Sequence, residues 1–398
     1  MRRREFILKG GLATTATLYG SGMLAQAVKS PNDTINIGLI GTGDRGGGLI
    51  PFINEIENLR VVACSDLIPF RLEAAMAKVQ GKARAYPDYR KLLDDPQVDA
   101  VLVATPFGTH SKIAVDALQA GKHVYVEKTM AMGYQGIGDL VVAARKSDKI
   151  LQTGHQYRSS RLYGHIVQQI EKGKIGKITA LECQWNRNGN WRRPVPDPKW
   201  ERMINWRMYR EHSGGLLAEL CSHQLDLAHW ILGSMPEKVM GIGGIDYWKD
   251  GRETFDNIHM IYSYPNGVRA KFTCLTSNAM DGYKVKVLGD KGAYVLDYTK
   301  AWFHPEGSQE KQIGELDGVS GATLNWEQGR GIPVDHAHED PSKQALIDFR
   351  DNVLSGTLPL SNVTTGAMAA LCVQMGLDAM YDRTIVEPDP KLLEGILG

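Results

Sequence analysis

Thr34-Ile35-Asn36-Ile37-Gly38-Leu39-Ile40-Gly41-Thr42-Gly43-Asp44-Arg45-Gly46 is the stretch that decides the fold. Its first half is a short apolar run with the character of a strand buried on both faces. Its second half has the spacing G-x-G-x-x-G. The first glycine permits a tight turn, the second lets backbone approach a pyrophosphate, and the third lets the next helix pack closely on the strand. A helical stretch over 47–57 follows, so its free N–H groups and positive dipole end would face the phosphates. A strand before the glycines and a helix after them make this a dinucleotide-binding loop with Gly41, Gly43, Asp44, Arg45 and Gly46 as its residues. A second strand over 59–65 ends at Asp66, twenty residues beyond Gly46. A carboxylate there is placed to bond ribose hydroxyls and to repel a 2′-phosphate, which favours NAD over NADP.

Outward from this core the alternation continues. Residues 71–79 are expected to be helix, 98–104 strand, 111–119 helix and 123–126 strand. Strands alternating with helices imply a doubly wound parallel sheet with ligands at the carboxyl ends of its strands. Two loops fall at such ends, Thr105-Pro106-Phe107-Gly108-Thr109-His110 and Glu127-Lys128-Thr129. Thr105, Pro106, His110, Glu127 and Lys128 are therefore candidates for the nicotinamide end of the cofactor. Beyond about residue 150 the pattern becomes antiparallel, with strands expected over 179–187, 238–245, 257–264, 268–277, 285–289 and 293–298. Pro265-Asn266-Gly267 is a hairpin turn between two of them. Helices over 341–354 and 364–381 close the chain. The expected organisation is a Rossmann domain over 33–152 and an α+β domain over 153–398 with a large, mostly antiparallel open sheet.

Composition agrees with a globular enzyme. The chain has 398 residues, with 46 Lys+Arg against 45 Asp+Glu, so no excess of positive charge suggests a nucleic-acid partner. No run of 18 apolar residues suggests a membrane span. The N-terminus departs from the average. Arg2-Arg3-Arg4-Glu5-Phe6 followed by a weakly apolar stretch and Ala25-Gln26-Ala27 resembles a cleavable twin-arginine signal over 1–27 and implies export to the periplasm. Without that segment the net charge changes from +1 to −2, because residues 1–27 hold four basic groups and one acid. Cys64, Cys183, Cys221, Cys274 and Cys372 are scattered and odd in number, which is the pattern of buried thiols rather than of a disulfide or zinc framework.

Chemistry in the second domain concentrates on 214–230. On a regular helix Glu219 and His223 lie one turn apart and Asp226 three residues further on, so all three would share one face, with Leu217, Leu220, Leu225 and Leu232 opposite. Three ionisable groups in register on an apolar helix point to an active site, because burying them without purpose is costly. Gly154-His155-Gln156-Tyr157-Arg158 precedes this domain and adds Tyr157 and Arg158 as substrate candidates. Trp185, Trp191, Trp200 and Trp206 stand among Asn186, Arg187, Asn190 and Arg193, a mixture suited to sugar faces and hydroxyl edges; Trp191 and Trp206 are the substrate candidates here. His336-Ala337-His338-Glu339-Asp340 has metal-like residues, but Asp340-Pro341 is a helix start and no zinc spacing is matched, so no metal is expected.

These motifs, in this order, resemble the Gfo/Idh/MocA oxidoreductases, the glucose–fructose oxidoreductase and inositol dehydrogenase group, over essentially the whole chain after residue 27. The resemblance implies a nicotinamide-dependent enzyme acting on a sugar or polyol. It implies that Lys128 and the pair Glu219 and His223 carry the chemistry, matching the family's Glu-Lys-Pro and Asp-x-x-x-His motifs. Thr129 stands where the family usually has proline, and Glu219 where it has aspartate. The residue types suit the roles: His223 as base for a hydroxyl proton, Lys128 as hydrogen-bond donor to the same oxygen, Glu219 to orient the imidazole or bind a second hydroxyl.

Export has a consequence for mechanism. An exported dehydrogenase lacks a cytoplasmic pool to recycle its cofactor, so the cofactor is expected to stay tightly bound and be regenerated within the cycle. Oxidation of a sugar or glycoside at a secondary hydroxyl is the leading expectation. Redox-neutral glycoside cleavage is the alternative, through a transient 3-keto sugar, elimination, water addition and re-reduction. A non-catalytic sugar or NAD sensor is the third, disfavoured because Lys128 and His223 are both present. The open sheet suggests a homo-oligomer.

Overall fold

The structure, a computed structural model, describes residues 34–306, 331–336 and 339–398. The export-signal segment 1–27 and the His338 of the metal-like stretch lie outside the described residues.

Six parallel strands form the first sheet: β1 (Ile35–Ile40), β2 (Leu59–Ser65), β3 (Arg84–Tyr86), β4 (Ala100–Val103), β5 (His123–Val126) and β6 (Leu151–Thr153). Their order in space is β3-β2-β1-β4-β5-β6, the doubly wound arrangement with its switch point between β1 and β4. All four residues of β4 are buried, because helices cover both faces. On one face Ile37, Leu39 and Leu102 pack with Leu49, Ile50 and Ile53 of helix Asp44–Glu55 and with Phe349 of helix Pro341–Ser355. On the other, Ile40, Val101 and Val103 pack with Ile113 of helix His110–Gln119 and Leu140 of helix Gly133–Lys146. The short strands β3 and β6 at the two edges, helix Gly133–Lys146 and the final helix Pro390–Leu397 extend the pattern beyond what the sequence displayed.

The second sheet has eight strands: β7 (Ile178–Asn188), β8 (Lys238–Gly244), β9 (Asn257–Ser263), β10 (Arg269–Leu275), β11 (Ser277–Gly289), β12 (Gly292–Leu296), β13 (Ala301–Pro305) and β14 (Ile332–Pro333). They run in the order β14-β13-β12-β11-β7-β10-β9-β8, and every pairing is antiparallel except β7 with β10. Ala270, Phe272 and Cys274 of β10 are buried while Arg269 and Lys271 are exposed, the period-two alternation of a sheet with one covered face. Helices Arg161–Glu171, Ser222–Leu232 and Val363–Asp382 supply that cover. The hairpin turn between β9 and β10 falls where Gly267 takes φ 79°.

Helix Val363–Asp382 is the one described helix long and apolar enough to cross a membrane, yet two thirds of it (67%) is buried inside the fold, packed against both sheets' cores. All five cysteines are buried and unpaired. Asp340 is the N-cap of helix Pro341–Ser355, its carboxylate accepting from the Ser342 and Lys343 amides.

Candidate active site

A single cleft of about 1190 Å³ runs along the carboxyl ends of the parallel strands and continues under the second sheet. At one end stands the glycine loop. Gly41 has φ +87°, and a side chain there would meet the Ala104 backbone at 2.7 Å. A Cβ on Gly46 would collide with the Gly41 carbonyl oxygen, so the first helix approaches the strand only because that position is bare. Gly41, Gly43, Asp44 and Arg45 line the cleft, whereas Gly46 sits behind them as the packing residue. The bare loop, the helix N-terminus and the length of the cleft fit a dinucleotide.

Asp66 lines this end, and three protein donors already use its carboxylate. Thr42 N–H and its hydroxyl donate to Oδ2 at 2.7 and 3.1 Å, and the Ile68 amide donates to Oδ1 at 2.8 Å. The carboxylate thus fixes the glycine loop and keeps about one of its roughly four acceptor positions free for a ribose hydroxyl. Arg45 turns away from the loop's mouth: its Nε donates to Glu127 Oε1 at 2.6 Å and its Nη1 to Ser342 at 3.1 Å.

Midway along the cleft lie Thr105, Pro106, His110, Glu127 and Lys128, as their place after β4 and β5 requires. His110 is buried, with its ring nitrogens 2.9 Å from the Thr129 carbonyl and 2.8 Å from the Thr105 carbonyl; it ties the two loops together. Burial holds its pKa below the ordinary histidine value even though both carbonyls favour the charged ring. The Lys128–Thr129 peptide is cis.

At the far end Lys128 reaches across to the second domain. Its Nζ donates to the backbone carbonyl of Glu219 at 2.7 Å. Residues Leu217–Cys221 form a turn of π-helix before the regular helix Ser222–Leu232, and π turns gather at functional sites. Burial lowers the Lys128 pKa, opposed by Glu219 and Glu127. For Glu219 burial pushes the carboxyl up, but the charges of Lys128 and Arg207 outweigh it and the net shift is downward. His223 is 4% exposed, and burial first, then the charge of Lys128, holds its pKa well below the ordinary value. The imidazole is therefore neutral near pH 7. Its ring is boxed by Tyr157 at 4.8 Å, Trp185 at 5.7 Å and His155 at 6.1 Å between centroids, and its Nδ1 has no partner among the described residues.

Expectations for five residues need correction. Asp226 does not share the Glu219–His223 face of the cleft. It is buried in an ion pair with Arg158, whose Nε lies 2.9 and 2.8 Å from the two carboxylate oxygens, and neither residue lines the cleft. The widened turn at Leu217–Cys221 takes Glu219 off the regular spacing, and the following helix, buried over 222–229, offers no polar face to read. Tyr157 likewise does not line the cleft; it supports His223 from behind, stacked on Tyr163 at 5.0 Å. Glu219 does not orient the imidazole, because its carboxylate accepts from Arg207 Nε at 2.8 Å instead. Leu220, expected on the core side, lines the cleft.

Trp191 and Trp206 do line the substrate end, joined by Trp185, Arg187, Arg207 and Tyr298. Neither Arg207 nor Tyr298 was expected from the sequence: Arg207 comes from the short helical turn Trp206–Met208, and Tyr298 follows β12, and only tertiary folding brings them beside Glu219 and Trp185 respectively. A Trp-Arg pair next to an expected sugar-binding loop was the sole available hint for Arg207.

The comparisons with known proteins now bear on this geometry. Residues 35–155 match the family model for the NAD-binding Rossmann fold of the Gfo/Idh/MocA oxidoreductases, and residues 167–387 match the model for their C-terminal α/β domain. The chain belongs to the Gfo/Idh/MocA oxidoreductase family. Among similar proteins in this family, myo-inositol 2-dehydrogenase of Thermotoga maritima is 29% identical over 375 residues, covering 92% of this chain and 100% of that protein. The 2,7-anhydro-N-acetylneuraminate hydratase of Escherichia coli is 30% identical, covering 84% of this chain and 87% of that protein. The crystal structure of aldose-aldose oxidoreductase from Caulobacter crescentus superimposes with a TM-score of 0.70 at 21% identity, over 89% of this chain and 100% of that one, a likeness of fold.

Proposed function

We propose that this chain oxidises a secondary hydroxyl of a sugar or glycoside, with a nicotinamide dinucleotide held in the cleft as hydride acceptor. The observation that carries the proposal is the convergence of Lys128 Nζ, Glu219 and His223 at one end of a cleft whose other end is the glycine loop and Asp66.

In this reading His223 takes the hydroxyl proton. A neutral imidazole is the competent form, and the site keeps it neutral by burial and by the nearby Lys128 charge. Lys128 donates a hydrogen bond to the same oxygen and stabilises the negative charge that develops on it. Its contact with the Glu219 carbonyl occupies one of three ammonium protons and leaves two to share. Glu219, held by Arg207, is placed to accept from a neighbouring hydroxyl and fix the sugar's register. Trp191 and Trp206 supply the aromatic walls. Asp66 favours NAD over NADP, and export with a resident cofactor remains part of the proposal, on the strength of the Arg3-Arg4 leader.

The second reading is redox-neutral glycoside cleavage at the same residues. It is favoured by a relative, a glycosyl hydrolase family 109 protein of Shewanella amazonensis, 27% identical over 57% of this chain and 54% of that protein. One experiment separates the two. The purified chain is supplied with NAD and a panel of free sugars and aryl glycosides, following nicotinamide absorbance and aglycone release together. Net NADH formation without aglycone release supports oxidation; aglycone release without net NADH establishes cleavage instead.

A further inference from the structure

We infer that the sugar carries a carboxylate, and that Arg187 is the residue that selects it. The inference rests on the proposed sugar chemistry and deepens it.

The charges around the substrate end are almost all neutralised within the protein. Arg207 is paired with Glu219, Arg202 lies within 3.5 Å of Glu211, and Arg193 within 3.1 Å of Asp44. Arg187 differs. It is exposed on the cleft wall near the end of β7, and among the described residues no carboxylate lies within ion-pair distance of it. Its guanidinium lies over Trp185 at 5.4 Å and over Trp191 at 5.6 Å. Trp185 is also the ring beside His223, so Arg187 stands one indole away from the proposed base.

A guanidinium held over aromatic faces keeps its N–H edge free. That edge matches a carboxylate in a bidentate fork. Two indoles also limit its rotamers, so less freedom is lost when an anion binds. Glu219 is already committed to Arg207 and cannot serve as its counter-ion. The cleft's other arginine without an ion-pair partner among the described residues, Arg71, is 3.2 Å from where a Gly43 Cβ would stand, beside the proposed dinucleotide phosphates. An unpaired arginine at each end thus matches one anion at each end: a phosphate in the glycine loop and a carboxylate on the substrate.

The test compares glucuronic acid with its methyl ester, which keeps the ring and removes the charge. Dissociation constants are measured calorimetrically on NADH-loaded protein, so no turnover is required, and NADH formation is followed separately with neutral hexoses and with the acid. The acid is expected to bind roughly tenfold or more tightly than the ester, the scale of a charged bidentate contact. Arg187→Met should collapse that ratio to below about threefold, and Arg187→Lys should restore part of it. Circular dichroism of both variants checks that they are folded. Equal binding of acid and ester by the wild type, or an acid preference that survives Arg187→Met, overturns the inference. If neutral hexoses reduce NAD and the acid is no better bound, only this inference fails. If no sugar binds or reacts, the oxidoreductase proposal fails with it.

Discussion

Replacing Asp226 by Asn distinguishes a structural ion pair from a substrate ligand. In the folded chain the Asp226 and Arg158 side chains are 3% and 5% exposed and meet at 2.8 Å. Arg158 also donates Nη2 to the Asp226 carbonyl at 3.4 Å and lies 5.2 Å over the Trp230 ring, so its guanidinium is held against the pair's own helix. Removing one partner of a buried pair leaves an uncompensated charge and costs about 3–5 kcal/mol. For a folded unit of this size, with unfolding entropy near 2.1 cal/mol/K per residue, that corresponds to a drop in melting temperature of about 4–7 °C. The assay is thermal melting followed by kinetics at a temperature where the variant remains folded. The expected result is a lowered Tm with KM for the sugar within about twofold of wild type. An unchanged Tm combined with a large rise in KM would refute the structural assignment and return Asp226 to the substrate site.

Other outcomes follow from the same geometry. Gly46→Ala should weaken nicotinamide binding by about tenfold or more, measured by fluorescence titration, because its methyl would displace the Gly41 carbonyl and with it the glycine loop. The acid limb of kcat/KM should fall below pH 6.5, the ordinary histidine value, because burial depresses the His223 pKa and keeps the base unprotonated into mildly acidic solution. His229 should make the fold acid-sensitive. Burial lowers its pKa from 6.5 to about 4, so the unfolded chain binds its proton first, and stability complete above pH 6.5 is lost progressively as pH falls towards 4; melting curves across that range check the sign.

The first sheet was largely legible because its signals are local. Strand 34–40, the three glycines and Asp66 sit within one βαβ unit, and Gly41 and Gly46 answer to backbone requirements found in the structure, while a Cβ on Gly43 would meet only the Arg71 side chain. Six strands of the second sheet were legible through period-two alternation, but β13 and β14 were not, and the spatial order depends on long-range pairing such as β7 with β10, which no local pattern encodes. The site was legible where a residue follows directly from a strand end, as with Thr105, Glu127 and Lys128. It was misread at Asp226, where a helical wheel assumes a wet face, and residues 222–229 of this helix are all buried. Arg207 and Tyr298 were beyond reach, since their positions are set by chain segments that meet Glu219 and Trp185 only after folding. The charge balance of 46 basic against 45 acidic residues gave no reason to expect a nucleic-acid partner, yet said nothing of Arg187, which has no ion-pair partner among the described residues.

The most direct test of the account is the rate of NADH formation by Lys128→Ala, measured beside wild type on whichever sugar the wild type oxidises. The account predicts a loss of about 10²–10⁴-fold in kcat with nicotinamide binding preserved within a few fold, because the ammonium acts on the reacting oxygen through charge that develops in the transition state. A Lys128→Ala enzyme that turns over at the wild-type rate would contradict it.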